Sequence, residues 1–171
     1  MLTDDIVREA VKEMLVKVSE PLSPGDLLIV DRATVLMKQR FLHGWNQLVS
    51  IGSDAHGSEH HGIQLDVPIG QDSICAEILM LSRFVQAQQT LAVAVTVRHR
   101  KREDGGDVHV VGPCAACRER ILHFFRDARI IVPIEGRELV KVPIRALYPV
   151  PYKEREKPNG NGSAAQIFSS S

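Results

Sequence analysis

The sequence predicts an α/β protein in three layers, helices on both faces of a mixed sheet of about five strands. Three observations lead there. Segments with helical spacing of apolar residues alternate along the chain with short β-branched runs, the pattern of a layered α/β fold. At 171 residues the chain can bury one good core but not two ordinary domains. Its 44% hydrophobic and 25% charged composition is that of an ordinary globular protein.

Over residues 3–18, Ile6, Val7, Ala10, Val11, Met14, Leu15 and Val18 recur three and four apart, with Thr3 placed to cap an acidic first turn. This predicts an amphipathic helix. Pro21, Pro24 and Gly25 break it, and a second helix is expected over residues 26–41, capped by Ser23 or Asp26. Residues 45–51 read as a first strand, 52–61 as a hairpin loop rich in Gly, Ser, Asp and His, and 62–66 as a short strand before Pro68 and Gly70. Residues 75–88 read as a helix whose Ala76, Ile78, Leu79, Leu81, Phe84 and Val85 imply burial on more than one side.

The run 91–97 suits a buried central strand, and 108–111 a further strand ahead of Gly112 and Pro113. A helix is expected from Cys114 through Ile121, Leu122, Phe124 and Phe125 to Asp127, followed by strands at 129–133 and 139–142. Residues 153–171, charged and then rich in Gly, Asn and Ser, are expected not to fold.

The 21 basic and 21 acidic residues cancel, which argues against a polynucleotide partner, since phosphate attraction dominates such binding. The basic run from Arg98 to Arg102 is followed at once by Glu103, Asp104, Gly105 and Gly106 and reads as a solvated turn. No apolar run approaches the roughly eighteen residues of a membrane span, and acids stand where a signal peptide would be basic, so a cytoplasmic protein is expected. Three cysteines, two of them in a Cys-x-x-Cys, point to metal or redox chemistry rather than a disulfide framework.

Two segments carry the chemistry: Ile74-Cys75-Ala76-Glu77, and Pro113-Cys114-Ala115-Ala116-Cys117-Arg118. Together they resemble the two zinc motifs of the cytidine deaminase family, a metal ligand two positions before a glutamate at one helix start and a Pro-Cys-x-x-Cys at another. The resemblance implies the cytidine deaminase-like fold, one Zn2+ per chain held by Cys75, Cys114 and Cys117, and Glu77 as the proton carrier. The chemistry needs three protein ligands and one open position, so that a water can be activated near neutral pH. Three thiolates around a divalent ion leave a net negative charge, which the two helix starts would offset, with Arg118, and after it Arg120, adding a full positive charge.

Where three-cysteine members of the family usually carry arginine, directly after Cys-Ala-Glu, this chain has Ile78, as blasticidin S deaminases also have an apolar residue. Upstream, Gly62-Ile63-Gln64-Leu65-Asp66 stands in the place of the family's Gly-x-Asn-x-Glu, whose amide and acid bind ribose. The two side-chain lengths are exchanged here, so the resemblance implies the same hydrogen-bonding groups with shifted geometry; ordinary strand-end polarity accounts for them equally well. Trp45 falls near the aromatic that stacks on the pyrimidine, or is core. The segment Leu147-Tyr148-Pro149-Val150-Pro151-Tyr152 is similar to the family's Leu-Leu-Pro-x-x-Phe, which implies that Tyr152 contributes to a neighbour's site in a homotetramer, or a homodimer. Backbone around Ala76 and Cys114 would orient the base.

The resemblance spans residues 26–152, with residues 1–25 as an added amphipathic helix and 153–171 as a disordered tail. It implies hydrolytic deamination of a cytosine nucleoside, cytidine, deoxycytidine or a modified analogue, within pyrimidine salvage. Two readings compete with it: a blasticidin S-type deaminase, and a non-catalytic zinc-binding scaffold in which His60 or His61 fills the fourth metal position. His43, His56, His99, His109 and His123 are expected to have no ligand role.

Overall fold

The computed structural model describes residues 4–41, 46–69, 72–99, 107–134 and 139–148. Its sheet is organised around β3 (Val93–His99), whose five leading residues are all buried. One edge of β3 pairs antiparallel with β1 (Leu48–Ser53), which in turn pairs antiparallel with β2 (Glu59–Ile63). Its other edge is shared: Val93, Ala94 and Val95 pair in parallel with β5 (Arg129–Pro133), and the C-terminal half pairs with β4 (Val108–Val111). With β6 (Leu139–Pro143) antiparallel to β5, the described residues form a mixed six-stranded sheet, one strand more than the approximate count expected.

Alternation along the strands sorts the core into two layers. Val93, Val95 and Val97, with Val49, Ile51 and Ile131, point to α2 (Pro24–Arg40) and meet its Ile29, Ala33 and Met37. Ala94, Ile130, Val132 and Val142 point the other way, packing with Met80, Leu81 and Phe84 of α3 (Ala76–Gln86) and Ile121 of α4 (Ala115–Phe124). The three layers are therefore those expected.

Helix α2 starts as its sequence dictates. The Ser23 hydroxyl accepts from the Asp26 N–H at 3.2 Å while the Asp26 carboxylate accepts from the Ser23 N–H at 2.8 Å, a reciprocal cap. Helix α1 (Asp4–Val18) forms as periodicity predicts, yet Ile6, Val11, Met14 and Val18 remain exposed on it. The chain beyond it is tied down: Glu20 exchanges both backbone hydrogen bonds with Lys141 on the free edge of β6. A short helix after β6, α5 (Ile144–Leu147), has no counterpart in the sequence reading.

Two expectations need correction. The loop foreseen over residues 52–61 is much shorter, because Gly52 and Ser53 continue β1 and Glu59, His60 and His61 already belong to β2. Only residues 54–58 turn, with the Asp54 carboxylate accepting from the His56 and Ser58 N–H groups at 2.8 Å each and Gly57 at φ +87°. Lying between β2 and β3, β1 has partners on both sides, so polar residues there are strand residues by pairing rather than by composition. Helix α3, foreseen as buried on more than one side, buries a single stripe of Ala76, Glu77, Met80, Leu81 and Phe84 and leaves Val85 exposed. It rests on one face of the sheet, and among the described residues no second layer lies above it.

Candidate metal centre

The three cysteines come together through the starts of α3 and α4, two helices on the same face of the sheet. Cys75 is the N-cap of α3 and Cys114 the N-cap of α4, both in extended conformation and neither using its side chain as a cap. The segment entering Cys75 is held by two backbone hydrogen bonds between Leu65 and Ile74, at 2.9 and 3.0 Å. Gly62 permits this approach. A Cβ there would collide with the Ala76 carbonyl oxygen and lie 2.6 Å from the Met80 nitrogen, so no other residue lets β2 run so close under the first turn of α3.

Cys117, one turn into α4, is buried, Cys75 is half-buried and Cys114 is exposed. All three sulfurs lie within 4.8 Å of one another, with Cys75 Sγ and Cys114 Sγ 3.9 Å apart. A tetrahedral ion with metal–sulfur bonds of about 2.3 Å has sulfur–sulfur edges of about 3.8 Å, which the Cys75–Cys114 distance matches, and the set suits a thiophilic metal ion once the widest pair draws in. Its electrostatics agree. Burial pushes the Cys117 thiol far up, and the negative charges of Glu77, Cys114 and Cys75 add to it; burial and then Cys114 raise Cys75. Three thiolates this close require a cation, and a bound ion would displace their protons.

Glu77 follows Ala76, the first residue of α3, and is 5% exposed. Burial raises its pKa, while its own backbone N–H, the Thr96 hydroxyl and Cys117 pull the other way. The arrangement is a carboxyl that can take and release a proton beside a metal-binding cluster.

Other expected residues stand as follows. Ala76 is fully buried. Gln64 turns its side-chain oxygen onto the Gln47 N–H at 3.1 Å, and the Asp66 carboxylate accepts from Ser73 Oγ at 3.0 Å and Gln47 Nε2 at 3.4 Å. Arg118 donates from Nε to the Pro113 carbonyl at 2.8 Å and from Nη1 to the Leu147 carbonyl at 3.3 Å, which straps the approach to Cys114. Trp45 and Tyr152 lie outside the described residues. His60 bonds Gln89 at 2.7 Å and packs edge-on against Phe84, and among the described residues the metal-capable cluster consists of the three cysteines alone. Sequence reasoning missed Thr96, Ser50, Gln47 and Ser73. Hydroxyls at sheet-facing positions of otherwise apolar strands were the available signal for the first two.

The fold is that of cytidine deaminases, and the cysteine cluster fits a three-cysteine metal site. The cytidine deaminase of Bacillus anthracis superposes with a TM-score of 0.61 at 16% identity, covering 72% of this chain and 86% of that one. A mutant cytidine deaminase from Mycobacterium tuberculosis gives a TM-score of 0.50 at 15% identity, covering 90% and 98%. At these identities the likeness concerns the fold. In sequence, the chain is similar to the blasticidin-S deaminase of Bacillus cereus, 26% identical over 133 residues that cover 77% of this chain and 94% of the relative. No protein-family model matches the chain.

Proposed function

We propose that this chain is a zinc-dependent hydrolytic deaminase that replaces the exocyclic amine of a cytosine nucleoside with oxygen and releases ammonia. The observation that carries this reading is the meeting of three sulfurs within 4.8 Å at two helix starts, with a nearly sealed carboxyl two residues beyond one of them. Zinc is the ion we assign, because thiolate donors suit it and three protein ligands leave a tetrahedral position free. Bound there, zinc supplies the Lewis acidity that makes a water nucleophilic near neutral pH.

Glu77 would take one proton of the attacking water and pass it to N3 as the water oxygen bonds to C4, then take the remaining hydroxyl proton and pass it to the exocyclic amine, so that the C4–N bond breaks as the carbonyl forms and ammonia leaves. Its burial suits the task, since a carboxyl raised towards neutrality can both hold and release a proton. Backbone around Ala76 and Cys114 orients the ring. Arg118, held by the Pro113 carbonyl next to Cys114, compensates the anionic cluster through space.

Two observations favour a modified cytosine nucleoside over plain cytidine. A relative similar in sequence is a blasticidin-S deaminase. In addition, the amide oxygen of Gln64 and both carboxylate oxygens of Asp66 already accept hydrogen bonds within the chain, which fixes their directions and narrows the geometry a ribose could use. We place residues 26–152 as the catalytic unit, with residues 1–25 and 153–171 as additions. A homotetramer or homodimer is favoured by the apolar residues exposed along α1, and the setting we propose is cytoplasmic nucleoside salvage.

An ultraviolet assay over a panel of cytosine nucleosides, including N4- and sugar-altered ones, with metal content measured on the same protein, tests this. Turnover of at least one member by zinc-loaded protein is expected. Stoichiometric zinc without turnover of any would leave a metal-binding scaffold.

A further inference from the structure

Gly62 of β2 stands opposite Ser50 of β1 and lies under the first turn of α3, where a Cβ would come within 2.6 Å of the Met80 nitrogen. Side chains alternate along a strand, so Gln64 returns to the same face two residues on, in front of the helix start that Cys75 caps. Its N–H bonds the Leu48 carbonyl at 2.9 Å. The chain then enters a turn closed by the pairing of Leu65 with Ile74, the residue before Cys75, and Asp66 lies inside that turn. Gln64 and Asp66, both half-buried, thus stand on different supports.

One residue ties both to the sheet. Gln47, at the entry to β1, donates its backbone N–H to the Gln64 side-chain oxygen at 3.1 Å and its side-chain Nε2 to Asp66 Oδ2 at 3.4 Å. Its own carbonyl accepts from the His99 N–H at 2.9 Å, which fastens it to β3. The other carboxylate oxygen of Asp66 accepts from Ser73 Oγ at 3.0 Å, and that hydroxyl accepts from the Val67 N–H at 3.2 Å. Ser73 and Val67 belong to the same turn as Asp66 and would move with it. Among the described residues, Gln47 is the side chain whose hydrogen bond refers the Asp66 carboxylate to the sheet.

These bonds also sort the polarity of the pair. With its oxygen engaged, Gln64 has N–H donors left to offer, whereas the Asp66 carboxylate can only accept. A donor and an acceptor at a fixed separation match a sugar diol, whose hydroxyls accept through oxygen and donate through hydrogen. We propose that Gln47 is a specificity-determining positioning residue: as the common anchor of Gln64 and Asp66, it sets the spacing at which the pair meets the sugar hydroxyls of the substrate. It stands 17 and 19 residues before its two partners, outside the segment that carries them.

The kinetic consequence rests on the deaminase reading, and the test keeps the two apart. Gln47→Met preserves side-chain length and the backbone N–H and removes the amide alone. With zinc-loaded protein it should keep metal stoichiometry and melting temperature, leave kcat for cytidine within about twofold and raise KM about tenfold, the worth of one hydrogen bond in a closed pocket. For 2′,3′-dideoxycytidine, which lacks the diol, KM should rise far less. A residue that merely stabilised the fold would move both nucleosides alike. Gln47→Glu keeps the shape but sets a carboxylate against Asp66, and should raise KM for cytidine more than the methionine does. Crystal structures should show Gln47 Nε2 on Asp66 in the wild type and the carboxylate turned away from β1 in Gln47→Met.

Equal KM changes for the two nucleosides in Gln47→Met, or a Gln47→Glu variant with wild-type KM, would overturn the proposal. So would an Asp66 carboxylate left in place in the methionine variant. If the wild type turns over no cytosine nucleoside, the deaminase reading falls, and the crystal structures still decide whether Gln47 anchors Asp66.

Discussion

Cys75 Sγ and Cys114 Sγ lie 3.9 Å apart although 39 residues separate them in the chain. With Cys117 they form a donor set within 4.8 Å, close to the spacing that one tetrahedral ion needs. One zinc per chain is therefore expected by elemental analysis of purified protein, and Cys114→Ala or Cys117→Ala should lose it. Because metal-binding free energy is partly folding free energy, chelation should also lower the melting temperature of wild type and leave the cysteine variants nearly unaffected. Wild type purified with no thiophilic metal, and unable to take up zinc, would refute this.

Glu77→Gln separates metal holding from proton transfer. The amide is nearly isosteric with the buried carboxyl, so fold and zinc content should survive, while kcat should fall by several orders of magnitude because an amide cannot carry the proton. Near-normal turnover would move the proton carrier elsewhere, with Asp66 the next acid to test.

Substrate preference is readable at Gln64 and Asp66. The double change Gln64→Asn with Asp66→Glu should release the Gln47 N–H and carry the carboxylate one methylene further out, past Ser73, and should shift kcat/KM towards unmodified cytidine by about tenfold, the worth of a hydrogen bond in a closed pocket. A wild type that already prefers cytidine over every analogue, with the double change lowering that activity, would show that the exchanged lengths are compensated by backbone position.

The N-terminal region is coupled to the sheet through a buried ion pair, Lys141 Nζ to Asp26 Oδ2 at 2.8 Å. Burial alone would raise the Asp26 carboxyl, but hydrogen bonds from Lys141 and from the Ser23 N–H and hydroxyl outweigh it and hold the pKa below its ordinary 3.8. A depressed carboxyl contributes stability that is fully present above its unfolded-state pKa and is lost as pH falls through the folded one. Asp26→Asn should therefore destabilise by roughly 1 to 3 kcal/mol near neutral pH, with the difference from wild type narrowing below about pH 4. Melting curves over that range measure it, and a constant difference would remove the ion pair from the account.

Much of this protein was legible along the chain. The amphipathic spacing of α1, the Ser23 start of α2 and the β-branched run of β3 are local patterns, and local patterns survive in one dimension. The Cys75–Glu77 and Cys114–Cys117 spacings were legible for a related reason: a ligand and a proton carrier on one helix start must stand a fixed number of residues apart, whatever surrounds them. Other features required the third dimension. That His60 and His61 are strand residues follows from β1 lying between two partners, and that α3 buries one stripe follows from its resting on a single sheet face. Gln64 turns to the Gln47 N–H, and Arg118 to the Pro113 and Leu147 carbonyls, because those groups are what the packed chain brings within reach. Thr96 is one of four threonines until β1 and β3 register it against Ser50. Sequence spacing determined which groups can do chemistry; only packing decided which way they point, because a side chain's direction depends on neighbours that are distant in the chain.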